Sequence, residues 1–67
     1  MLDEHDIYKA AGKNANKIWE IDESEGEYLV WLKDGFHIAG HNTTSFAVSE
    51  DDDFEYVKTQ FDAVEAA

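Results

Sequence analysis

The sequence predicts an α+β domain in which an N-terminal helix, an antiparallel sheet and a C-terminal helix follow in order. Three observations carry that prediction. Residues 16 to 48 hold short alternating apolar runs broken by turn residues, the pattern of half-buried strands. Phe54, Val57, Phe61 and Val64 recur at spacings of three, four and three, one face of a helix. Asp3 and Asp6 stand three apart ahead of Ile7 and Ala10, as at a capped helix start.

The first helix is expected to start at Asp3, with Leu2 and Ile7 forming a hydrophobic staple. It should end near residue 15, weakened by Gly12, Asn14 and Asn16. "NKIWEIDE" (16 to 23) reads as a strand with Trp19 and Ile21 on one face. "SEGE" (24 to 27) is a turn. "EYLVWLK" (27 to 33) is the clearest strand. Tyr28, Val30 and Leu32 line one face and Leu29 and Trp31 the other, so a central position covered on each side is expected. Asp34-Gly35 is a strong hairpin signal. "FHIAG" (36 to 40) is the return strand, "HNT" a turn and "TSFAV" (44 to 48) the last strand. The sheet is thus expected to be a meander of three or four strands. Ser49 is the expected N-cap of a helix from about 50 to 65. The expected core is Ile7, Trp19, Ile21, Val30, Leu32, Ile38, Phe46, Val48, Phe54, Val57 and Phe61.

Length and composition bound the rest. The chain has 67 residues, one domain over 1 to 67, with no Cys and no Pro. It must fold on packing alone or with a partner. Nine aromatic residues (Trp 2, Tyr 3, Phe 4) argue against a disordered acidic tail. No apolar run reaches the roughly 20 residues of a membrane helix. "MLDEHDIYK" has acid where a signal peptide has a basic segment, so a cytoplasmic location is expected.

Charge is the dominant feature. Sixteen Asp and Glu face five Lys and no Arg, a net charge of −11. Self-repulsion of this size costs stability. Without a basic patch, direct binding to nucleic acid or to an anionic membrane is disfavoured. A basic protein surface is the natural partner.

No motif carries catalysis or binds a cofactor. His5, His37 and His41 read as surface or sheet histidines rather than metal ligands. "DDDFEYVKTQFD" spaces Asp51, Asp53 and Glu55 like a calcium loop, but Tyr56 stands where the sixth-position Gly is required. A paired-carboxylate hydrolase needs a cleft that a chain of this size hardly forms. Gly12, Gly26, Gly35 and Gly40 are isolated turn residues and cradle no phosphate. Core packing is the simpler reading for Trp19 and Trp31, with exposure at a partner interface the alternative.

Three readings compete for the acid: solubility, adaptation to high salt, and mimicry of a nucleic-acid backbone. A net charge of about −2 to −8 keeps a small domain soluble, and −11 overshoots. B-DNA carries about one charge per 1.7 Å of axis. A helix rising about 1.5 Å per residue would set Asp51, Asp52, Asp53, Glu55 and Asp62 along a comparable row. Glu20, Asp22, Glu23, Glu25 and Glu27 form a second run, expected at the other end of the sheet. These ten carboxylates are the candidate partner-binding residues.

"GEY" before a strand, "KDG" in a hairpin, "TTSFAV" as a strand and "SEDDDFEYV" opening an acidic helix resemble the acidic, DNA-mimicking anti-CRISPR proteins of phages. The resemblance runs from Tyr28 to Val64, a little over half the chain. Thr43, Thr44, Phe46, Ala47 and Val48 hold its strand positions, and Asp51, Asp52 and Asp53 its acidic helix start. It implies a non-enzymatic inhibitor that binds Lys-rich grooves of type I CRISPR–Cas surveillance complexes and excludes target DNA. The alternative is a small adaptor domain, monomeric or homodimeric, whose contact face is apolar and includes Trp31 or Tyr28. Acid would then serve solubility or salt adaptation.

Overall fold

The computed structural model describes residues 1–40 and 42–66. The fold is α+β, as the sequence predicts. Helix α1 spans Glu4–Ala11 and continues into a 3-10 helix over Gly12–Lys17. Strands β1 (Ile18–Ser24), β2 (Glu27–Leu32), β3 (Phe36–Ile38) and β4 (Ser45–Ser49) follow, then α2 (Phe54–Asp62) and β5 (Val64–Ala66). The main sheet has the order β1-β2-β4 and is antiparallel, while β3 pairs with β5 in a separate two-stranded sheet.

The expected meander is therefore broken at its third strand, and turn geometry gives the reason. The β1–β2 hairpin closes through Glu25 and Gly26, both at positive φ (50° and 80°), as a strand-matching two-residue turn requires. At Asp34-Gly35 only Gly35 has positive φ (93°), and Phe36 N–H donates to the Lys33 carbonyl at 3.2 Å. That is the pattern of a type II turn, which splays the flanking strands instead of pairing them. β3 leaves the sheet, and β4 takes its place beside β2, with Leu32 N–H donating to the Thr44 carbonyl at 2.8 Å.

α1 starts as its sequence dictates. Asp3 accepts from Asp6 N–H at 2.9 Å and Asp6 returns the bond to Asp3 N–H at 3.1 Å, a reciprocal capping box. The helix ends earlier than expected, at Gly12. Asn14 is not merely a helix breaker. It is buried, donates to the Phe61 carbonyl at 2.9 Å and accepts from Lys17 Nζ at 2.9 Å. It ties the 3-10 helix to the end of α2 and satisfies a helix-terminal carbonyl.

α2 is shorter than expected at both ends. Ser49 N–H donates to Asp52 Oδ2 at 2.8 Å and Asp52 N–H to the Ser49 carbonyl at 3.0 Å, which fixes residues 49 to 52 as a turn. Asp side chains compete for local backbone in this way. Asp53, not Ser49, is the N-cap and accepts from Tyr56 N–H at 2.9 Å. After Asp62 the chain becomes extended, and Val64 pairs with Ile38 rather than continuing the helix.

The buried core comprises Ile7, Ala10, Ala11, Ile18, Tyr28, Val30, Leu32, Ile38, Val48, Val57 and Phe61, with Ile21, Phe46 and Val64 packed against it. The helices thus cover the Tyr28, Val30 and Leu32 face of β2. Phe46 meets Phe61 edge to face, with ring centroids 5.2 Å apart. Trp19 and Phe54 do not belong to the core. A bulge between Ile18 and Glu20 shifts the alternation of β1, so Ile18 turns inward and Trp19 is left 66% exposed. Phe54 opens α2 and lies at its rim, 38% exposed. β2 is central, but only one of its faces is covered by the helices.

Candidate functional site

The hairpin turn and the start of α2 meet. Glu27 pairs with Ser49 across β2 and β4, and Glu50 N–H donates to the Gly26 carbonyl at 2.8 Å. Glu23, Glu25 and Glu27 therefore stand at the same end of the sheet as residues 50 to 53, not at the opposite end as expected, while Glu20, paired with Trp31, lies toward the other end. Antiparallel pairing of β2 with β4 imposes this, because the first residue of one strand faces the last of the other.

The N-terminus joins them. Leu2 N–H donates to the Glu50 carbonyl at 2.8 Å, and Tyr28 Oη donates to the Leu2 carbonyl at 3.3 Å. Asp3 and Glu4 thereby enter the same region. Burial pushes the Tyr28 phenol above its ordinary range, and Glu23, Asp3, Glu50 and Glu4 push it the same way.

The result is one anionic pole made of Asp3, Glu4, Glu23, Glu25, Glu27, Glu50, Asp51, Asp52 and Asp53. Its backbone anchors lie on strands about 4.8 Å apart and on the starts of the two helices. For scale, 20 Å of duplex carries about 12 phosphate charges.

Among the described residues, the one contact within 4 Å between a basic side chain and a carboxylate is His37 with Glu65, at 3.1 Å and remote from this pole. Among the described residues, no Lys lies within 4 Å of a carboxylate of the pole. Lys17 and Lys33 meet at the opposite end of the sheet, where Lys33 N–H donates to the Lys17 carbonyl at 2.9 Å. The positive ends of both helix dipoles point to the anionic end, since α1 and α2 both begin there. Each well-placed carboxylate gains about 0.3–1 kcal/mol from that arrangement.

The predicted residues divide by task. Asp53 caps α2 and Asp52 closes the preceding turn, so both have structural work. Asp51 is exposed, and its N–H donates to Ser49 Oγ at 3.2 Å. Glu55 is exposed in the first turn of α2. Asp62 ends α2, roughly 12 Å along the axis from its start, and stands apart from the pole. Glu25 occupies the positive-φ hairpin turn, and Glu23 lies opposite Tyr28. Glu20, Asp22 and Glu27 project from the sheet face away from the helices, since they pair across strands with Trp31, Leu29 and Ser49.

Sequence reasoning missed Asp3, Glu4 and Glu50 as members of the pole. Only long-range pairing brings them there. Asp3 also carries its own perturbation. The Asp6 N–H bond holds its carboxyl below the ordinary value, with smaller help from the Asp6 side chain and His5.

Among the described residues, no group of three or more His, Asp and Glu side chains is arranged to hold a metal ion. His41 lies outside the described residues. No helix among the described residues is long and apolar enough to cross a membrane. The chain matches no family model, no curated protein and no solved structure.

Proposed function

We propose that this protein is a non-enzymatic acidic inhibitor that mimics a phosphate backbone and occupies the Lys/Arg-rich surface of a nucleic-acid-binding protein. The single observation carrying the reading is the unneutralised anionic pole, built from three chain segments joined by backbone hydrogen bonds. Solubility alone does not require the acid to be gathered at one end with, among the described residues, no Lys within 4 Å of it. Rigid attachment also matters, because charges held in place lose less entropy when a partner docks.

The resemblance to DNA-mimicking phage anti-CRISPR proteins makes a type I CRISPR–Cas surveillance complex the first target to try. Such a complex admits its target through a positively charged channel, and an anionic pole would compete for it in the host cytoplasm. The test is displacement of a labelled duplex from that complex and from a panel of basic DNA-binding proteins. The reading expects displacement that weakens steeply as salt rises. Duplex that stays bound to every target at low salt, with excess protein present, defeats it.

The adaptor reading keeps one favourable observation. Leu29 and Trp31 lie on a sheet face that the helices leave uncovered. Tyr28, its other proposed contact, is buried in the core.

A further inference from the structure

The main sheet has a second face. Cross-strand partners share a face, so Leu29 stands between Asp22 and Ala47, and Trp31 between Glu20 and Ser45. Leu29 and Trp31 are half-buried, and Ala47, Glu20, Asp22 and Glu27 are exposed. A shallow groove of about 470 Å³ runs here, lined by Asp22, Ser24, Glu25, Glu27, Tyr28, Leu29 and Ala47. Its floor is aliphatic and its rim is anionic.

We propose that this face docks a basic segment of a protein partner in which Arg or Lys alternates with aliphatic residues. The charged heads meet Glu20, Asp22 and Glu27. The aliphatic side chains, and the methylene stems of the basic ones, lie over Leu29, Ala47 and Trp31. Long basic side chains have this dual character, and a guanidinium also stacks on an indole face. Charge excludes the competing occupants. A second copy seated by two-fold symmetry would press the same carboxylates against themselves, on a chain already at −11. Nucleic acid and anionic lipid are repelled for the same reason.

The inference rests on the reading of the protein as a ligand for basic surfaces, and adds a component that salt does not screen. A purely electrostatic mimic loses affinity steeply with ionic strength. Burial of Leu29 and Trp31 against a partner is insensitive to screening.

The test is an NMR titration of isotope-labelled protein with two octapeptides of equal charge, one alternating Arg with Val and one alternating Arg with Gly. The Arg-Val peptide is expected to bind at least tenfold more tightly at high salt and to shift the Leu29 and Ala47 amides and the Trp31 indole. Ala47→Lys is expected to abolish that preference, while Thr59→Lys, the same charge change on α2, preserves it. Ala47 is exposed, so its replacement leaves the core intact. Equal binding of the two peptides overturns the proposal. So do shifts confined to Glu4, Glu50 and Asp51, equal losses for the two Lys variants, or self-association through Leu29 and Trp31. Failure of duplex displacement with the peptide preference intact defeats only the inhibitor reading.

Discussion

Glu50 N–H donates to the Gly26 carbonyl at 2.8 Å, and this bond joins the two acidic runs into one surface. Gly26 has φ +80°, and a Cβ there would stand 3.0 Å from Glu50 Cδ. Gly26→Ala is therefore strained by its backbone, and the end of the Glu50 side chain must shift to admit the methyl group. The expected cost is about 1–2 kcal/mol. Urea unfolding measures it, and an unchanged midpoint would show that the junction is not fixed as described.

Carboxylates with structural tasks must separate from those without. Asp53→Ala removes the α2 cap and should destabilise by about 1 kcal/mol although it relieves repulsion. Asp51→Ala removes charge at an exposed side chain that caps nothing and should leave stability equal or higher. Paired thermal melts of the two variants check the ordering. The reverse order would mean that repulsion outweighs capping.

Self-repulsion also predicts a response to salt. Added NaCl from about 10 to 500 mM shortens the Debye length from about 30 Å to a few Å. The melting temperature should rise by several degrees over that range, and most of the rise should vanish in a variant with Glu25, Glu27 and Asp51 made neutral. A melting curve independent of salt would place the carboxylates too far apart to interact.

Tyr28 supplies a pH test. Burial and then the nearby carboxylates raise its phenol above the ordinary value of 10.0, so the folded state holds the proton more tightly than the unfolded state. This contribution is fully present below pH 10 and is lost as pH rises through the folded-state value. Tyr28→Phe should abolish that alkaline loss. It should also cost about 0.5–1.5 kcal/mol at neutral pH through the missing bond to the Leu2 carbonyl. Chemical unfolding at pH 7, 9.5 and 11 distinguishes the two effects. An alkaline loss equal in both proteins would assign it to other groups.

What the sequence made legible was local. The Asp3–Asp6 box, the β2 pattern and the Val57 and Phe61 stripe depend on near neighbours and a fixed period. The misplaced features depend on events that no short window records. One extra residue at Trp19 turned Ile18 inward and Trp19 outward while Ile21 kept its expected face. A single positive φ at Gly35, rather than two, sent β3 to meet β5. Val64 fits a helical stripe in sequence, yet the backbone of β3 offered it a strand partner. The acidic residues were individually plain, but their assembly at one pole required the β2–β4 register and the Leu2–Glu50 bond.

The central claim is that the acid acts as one located surface rather than as diffuse charge. Its most direct measurement compares charge-reversal variants in displacing duplex from a basic DNA-binding target. Glu25→Lys and Asp51→Lys alter the pole, whereas Asp62→Lys makes the same change at the far end of α2. The account predicts at least a tenfold loss for each pole variant and less than threefold for Asp62→Lys. Equal losses from all three would contradict it.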